Sequence, residues 1–190
     1  MWKGFILGIV AIVVVATAGA YIAVVSGMIP VNADARPTRL ERWAAKTALN
    51  ATLKREADAL VNPLAVNDVN EVAGVKLFAQ DCATCHGDSS GHPTLIGFGL
   101  YQRAPSLGRR GITDDPEGGT YWMETHGARL TGMPSFSKTL DDTQRWQIAT
   151  FLKHFDELTP RAQAAWKNVK VAAVSPDLWP PKRERGAGPR

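Results

Sequence analysis

The chain has 190 residues, a formal net charge of +4, and is 45% hydrophobic and 21% charged. That length suits one domain with appendages, and the composition is ordinary for a globular protein. The basic residues are scattered, with no dense run interleaved with aromatics, which argues against a nucleic-acid binder.

The first element is a run from Phe5 to Ile29 without a charged residue. About 20 apolar residues span a bilayer as a helix, and a cleaved signal peptide has a shorter core of roughly 7–15. A retained signal anchor is therefore the favoured reading of residues 1–30. Ala33-Asp34-Ala35 nevertheless has the small-x-small pattern of a cleavage site. Only Lys3 precedes the run, whereas Arg36, Arg39, Arg42 and Lys46 follow it. The positive-inside rule alone would put everything after the run in the cytoplasm.

Residues 31–69 form the second zone. Pro37 suits a first helical turn, and Leu40, Trp43, Thr47 and Leu53 fall near one stripe of a 3.6-residue period. An amphipathic helix with a narrow apolar side is predicted, suited to the domain, a partner subunit or a lipid surface. The stretch 61–68, rich in Pro and Asn, reads as a linker.

The third zone, 70–158, opens with a short helix that runs into "CATCH" and closes with a helix in "TLDDTQRWQIATFLKHF". Asp141 or Asp142 can cap the closing helix, whose Trp146, Ile148, Ala149, Phe151, Leu152 and Phe155 face a core. The stretch between is rich in Gly and Pro and predicts loops and short helices. About 90 residues make a thin core alone, and a large apolar cofactor would supply the missing interior. The last zone, 159–190, predicts one more helix and a disordered basic tail.

Cys82 and Cys85 are the only cysteines, and His86 follows at once. C-x-x-C-H is the attachment signature of c-type haem. Two thiols that add across the vinyl groups on one porphyrin edge must lie about one helical turn apart. The adjacent histidine is then carried beneath the ring, where its imidazole reaches the iron. A thioredoxin-like motif needs a preceding strand within a βαβ unit, and "VKLFAQD" reads as helix. A structural zinc site wants four ligands, usually in two pairs, and His92, His126 and His154 are unpaired in sequence. A plain disulfide leaves His86 unexplained. Since covalent haem attachment takes place outside the bacterial cytoplasmic membrane, residues from 31 onward are expected outside, against the flanking charges.

A second axial ligand is sought among Met123, Met133, His92, His126 and His154. Met133 is favoured because Gly132 and Pro134 bracket it and exclude regular helix, so a loop presents its thioether.

The succession "CATCHG … RAPSL … HGARLTGMPSF … WQIATFLK" resembles the class I cytochrome c family, in particular small bacterial membrane-anchored monohaem cytochromes c. The resemblance covers roughly residues 70–155. It implies an all-α cytochrome c fold, short helices and loops wrapped around one covalent haem, preceded here by a transmembrane helix. It implies thioether bonds from Cys82 and Cys85, proximal ligation by His86 and distal ligation by Met133. It further implies that the carbonyl of Pro105 accepts a hydrogen bond from the other His86 nitrogen, and that Gly74 and Phe78 cross Ile148 and Phe151. The segments 31–69 and from Pro160 onward depart from what that family needs. Tyr101, Arg103, Tyr121, Trp122 and Arg129 have the chemistry to meet haem propionates, but each is read first as an ordinary surface or packing residue.

With both axial positions filled, the expected role is one-electron transfer rather than catalysis. The expected setting is the periplasmic face of the membrane, as a shuttle or as a haem subunit of a respiratory or other oxidoreductase complex. Redox proteins or complex subunits are the expected partners. The other reading is a haem enzyme or gas sensor, peroxidase-like, with an open axial position.

Overall fold

The computed structural model describes residues 2–108 and 111–174. The predicted basic tail beyond 174 lies outside the described residues. The chain divides into two units, Met1–Ala35 and Arg36–Arg190. The first unit is one helix, α1 (Trp2–Val25), with no buried residue. It is long and apolar enough to cross a membrane, with a mean hydropathy of 2.5. Its hydroxyls turn back on its own backbone: Thr17 Oγ1 donates to Val13 O, and Ser26 Oγ donates to Ile22 O (2.6 Å). Both aliphatic hydroxyls thus satisfy themselves on the helix backbone.

The second unit is all helix and loop, with no strand among the described residues. Its helices are α2 (Arg39–Glu56), α3 (Asp68–Leu77), α4 (Ala83–His86), α5 (Leu95–Gly99), α6 (Glu117–His126), α7 (Asp142–Lys153) and α8 (Pro160–Lys167). α3 starts where Asn67 Oδ1 accepts from Val69 N and Asn70 N, each at 3.0 Å. It buries Glu71, Gly74 and Val75, and the next turn buries Phe78. These positions fall at i, i+3, i+4 and i+7, one stripe of an α-helix. α7 starts at Asp141, which exchanges hydrogen bonds with Gln144 in a capping box.

The two helices cross at Gly74. A Cβ there would lie 2.1 Å from Gln147 O and 2.9 Å from Phe151 Cβ. Only a residue without a side chain permits that approach. Beside the crossing, Phe78 meets Phe151 edge-on with ring centroids 5.5 Å apart. The crossing of Gly74 and Phe78 with α7 is the one the family resemblance implies.

The core does not end at residue 158. Trp166 of α8 packs on Phe78 at 5.6 Å and on Phe151 at 5.3 Å. Glu71 Oε2 accepts from Thr159 N (2.8 Å) at the start of α8, so a buried carboxylate is spent on that helix's N-terminus. The helix stops at Lys167, short of the predicted "RAQAAWKNVKVAA", because the following Val-rich stretch pairs elsewhere. Val171 N donates to Asp88 Oδ2 (3.0 Å) and Val174 N to Pro93 O (2.9 Å).

The zone before α3 is tied down by polar contacts. None of α2 is buried. Tyr101 OH donates to Glu41 (2.7 Å) and Trp122 Nε1 to Glu56 (3.0 Å). The predicted stripe stays open, with Leu40 71% and Trp43 64% exposed. The 61–68 segment is anchored rather than loose: Asn62 Nδ2 donates to Thr150 Oγ1 (2.8 Å) and Glu117 Oε1 (3.1 Å).

Replacing a helical glycine by alanine normally gains about 0.5–1 kcal/mol. At Gly119, where a Cβ meets nothing within 4 Å, that gain is expected. Gly74→Ala should instead cost about 1–3 kcal/mol by overpacking the crossing. Urea unfolding of the two variants checks the contrast.

Candidate haem site

α3 does not stop before the cysteines. A π-helical turn, Phe78–Cys82, joins it to α4, with Ala83 N donating to Phe78 O. Such turns insert one extra residue and are common at functional sites. α3, the turn and α4 thus form one continuous run, and the Gly74 crossing positions Cys82, Cys85 and His86. Both cysteines are free thiols, half-buried, about one turn apart. Gly87 ends the run at φ +89°, a conformation that side chains disfavour.

His86 is held twice by one segment. Its ring Nδ1 donates to Pro105 O (2.9 Å), as the family resemblance implies, and its backbone O accepts from Leu107 N (2.9 Å). The first bond fixes the tautomer and leaves Nε2 with its lone pair. Burial lowers the pKa of the imidazole, against the opposing bond to Pro105, so the neutral donor form is favoured.

α5 closes on the other cysteine. A Cβ at Gly97 would lie 2.1 Å from Cys85 O. Thr94 Oγ1, fully buried, donates to Cys85 O (3.3 Å) and accepts from Gly97 N (2.9 Å). Asp88 accepts from Ser90 N (2.8 Å) as well as from Val171 N. Sequence reading missed Thr94, Gly97 and Asp88. The only local signal was a threonine three residues before a glycine, the pattern of a helix N-cap.

Met133 lies in the loop that follows α6, half-buried. The loop closes on itself: Ala128 N donates to Met133 O (3.2 Å) and Met133 N to Thr131 Oγ1 (3.1 Å). Its base is tied to α6 by Phe136 N donating to Glu124 O (2.9 Å) and Ser135 Oγ to Thr125 O (2.5 Å). Leu130, 89% exposed, has φ +62°, a left-handed conformation costly for a non-glycine residue. A Cβ at Gly132 would fall 2.6 Å from Leu100 Cδ2, which seats the loop against the residue that follows α5.

The other axial candidates have different neighbours. His154 Nε2 lies 3.6 Å from Glu117 Oε1, and His126 packs on Trp122 at 4.7 Å. Four of the five residues considered for propionates are engaged within the protein. Tyr101 binds Glu41 and Trp122 binds Glu56. Arg103 lies over Phe98 at 4.2 Å. Tyr121 stacks on Trp146 at 4.1 Å and donates to Asp142 (2.9 Å).

The Cys82 thiol is pushed far above its usual range, first by burial and then by the negative charges of Glu124 and Asp81 and by Cys85. Such a thiol is a poor thiolate, unlike the low-pKa cysteine of a redox-exchange motif. The residues present fit a covalent haem: two free thiols one turn apart, an oriented neutral imidazole and backbone approaches that only glycine allows.

Residues 70–152 match the family described as cytochrome c oxidase, cbb3-type, subunit III. This part of the chain is a small c-type cytochrome domain, and with a single C-x-x-C-H it carries one haem c, covalently bound, with iron. Its chemistry is haem-based electron transfer. No curated protein and no solved structure matches the chain.

Burial raises the Asp88 carboxyl, but hydrogen bonds from Ser90 and Val171 outweigh it and the net shift is downward. A depressed folded pKa gives stability that is present above the unfolded value, about 3.9, and is lost as pH falls through the folded one. Asp88→Asn should therefore cost about 1–2 kcal/mol at neutral pH. The difference from the parent protein should vanish in acid. Chemical denaturation at a series of pH values checks it.

Proposed function

We propose that the protein is a one-electron carrier, a monohaem cytochrome c tethered to the bacterial cytoplasmic membrane by α1 with its haem domain on the periplasmic side. It serves as a shuttle or as a haem subunit of a respiratory or other membrane oxidoreductase complex. The observation that carries the reading is His86. It directly follows two free thiols, and its Nδ1 is bound to Pro105 O at 2.9 Å, which leaves Nε2 for a metal.

In this reading Cys82 and Cys85 would hold the haem by thioether bonds, and His86 Nε2 and Met133 Sδ would supply its iron ligands. When bound, haem c supplies a one-electron ferric/ferrous couple. Pro105 keeps the imidazole oriented and raises its basicity. Methionine is a soft donor that raises the potential. With the same two ligands kept in both redox states, little rearranges when an electron moves, and no position is left for a substrate. The 18-residue α2, held by its polar side with Leu40 and Trp43 open, supports the subunit version, because a lone carrier does not need it.

The ferric protein should show the weak far-red sulfur-to-iron absorption band and one reversible one-electron wave. Met133→Ala should abolish the band and lower the potential by on the order of 100 mV, within the roughly 0.8 V that axial ligands command. Cys82→Ser with Cys85→Ser should leave no haem attached after denaturing electrophoresis. A high-spin spectrum with carbon monoxide binding to the reduced protein would instead establish an open site, as in an enzyme or gas sensor.

A further inference from the structure

Most buried polar side chains in the second unit have partners. Glu71 is spent on α8, Thr94 on Cys85 and Gly97, and Thr150 on Asn62 and Trp146. Glu124 is different. It sits on α6, is 4% exposed, and neither of its carboxyl oxygens has a hydrogen-bond partner. Its negative charge bears on Cys82, the first of the two attachment thiols. Its backbone O holds the base of the Met133 loop. The carboxyl is therefore buried within electrostatic reach of the haem attachment turn.

The groups around it do not neutralise it by contact. From α7, Arg145 is also buried, but its Nη1 donates to Leu140 O (2.5 Å) and its Nη2 to Asp142. Arg145 thus attracts Glu124 through space while its hydrogen bonds go elsewhere. On the π-helical turn lie Cys82, which ceases to titrate once it is a thioether, and Asp81, whose charge, like that of Glu124, bears on Cys82. The acids on the adjoining elements are engaged elsewhere: Glu56 of α2 accepts from Trp122 Nε1, and Glu117 of α6 accepts from Asn62 Nδ2 and lies 3.6 Å from His154 Nε2. An ionised carboxylate without hydrogen bonds is costly in such an interior, and the group responds by holding its proton. Burial accordingly raises the Glu124 pKa well above the usual range, with Arg145 opposing.

We propose that Glu124 is a redox-linked proton site, binding a proton when the haem at Cys82 accepts an electron and releasing it on oxidation. The inference rests on the electron-carrier reading. The balance is one electron and one proton. A one-electron donor protein reduces the ferric iron to ferrous, and a proton from water bonds to a Glu124 carboxylate oxygen. Reoxidation by the acceptor returns both. The cause is electrostatic. The positive charge gained by the haem on oxidation stabilises the carboxylate, and its loss on reduction favours the neutral acid. The protein thereby couples its potential to pH.

The test is a redox titration of the full-length haem-loaded protein across pH, with infrared spectra of both states. The midpoint potential should fall with rising pH, approaching one proton per electron between the ferric and ferrous pKa values of the carboxyl. The ferrous-minus-ferric infrared spectrum should gain a protonated-carboxyl band. In Glu124→Gln the potential should stay flat over that interval and lie above the parent on its alkaline side, and the band should vanish. Asp81→Asn should keep both the slope and the band. A slope that survives in Glu124→Gln, a slope lost in Asp81→Asn, or no carboxyl band in the parent protein would overturn the proposal. The infrared result on the parent protein needs no variant to fold. A reversible wave with a pH-independent midpoint sinks this inference alone, whereas the absence of any reversible wave sinks the electron-carrier reading with it.

Discussion

The contact of Gly74 with the Gln147 carbonyl governs the rest of the domain. It lets α3 and α7 approach at backbone distance, and Phe78, Phe151 and Trp166 close around the crossing. Since α3 runs without a break through the π-helical turn into α4, any shift at Gly74 is carried to both cysteines and to His86. A loop-borne C-x-x-C-H would have to be fixed by its own contacts. Here a helix crossing four residues before Phe78 does most of that work, and the Pro105–Leu107 segment only has to fix the imidazole.

The polar interior is arranged around the same run. Thr94 meets Cys85 O, Leu107 meets His86 O and Asp88 fastens the returning C-terminal strip. The first two satisfy carbonyls of the attachment turn and Asp88 satisfies backbone N–H groups beyond it, as buried backbone groups require. Glu124 breaks that pattern. A buried carboxyl left without a hydrogen bond costs stability that a leucine there would avoid. Its retention next to the attachment turn is readily understood if its charge state serves the cofactor rather than the fold.

Sequence and structure agree where the determinants are local. Cys82, Cys85 and His86 declare themselves by spacing, because the chemistry needs one turn between the thiols. A cap at Asp141 or Asp142 declares itself by preceding a run of core residues, and the capping box with Gln144 selects Asp141. Gly74 was legible only through the family resemblance, since nothing near it in sequence announces Gln147. Contacts between distant segments were not legible at all. Thr94 under Cys85, Asn62 on Thr150 and Val174 on Pro93 join residues whose types are unremarkable in their own neighbourhoods. The 61–68 stretch read as a linker from its composition, yet one asparagine anchors it twice. Nothing in the local sequence singles out Glu124. Its burial follows from where α7 and the π-helical turn pack, which no local pattern reports.

α2 poses the remaining structural question. Two hydrogen bonds from exposed side chains offset little of the entropy of ordering 18 residues. The helix must draw much of its stability from its own sequence: the Thr38 cap, Glu41 in the first turn and Lys54 with Arg55 in the last. It therefore stands as a preformed helix with Leu40 and Trp43 turned away from the haem domain's core. A helix of that kind gives up little further entropy when a second surface covers it, whereas a disordered segment would lose far more. On the subunit reading proposed above, its position before the haem domain suits it to be covered by a partner surface.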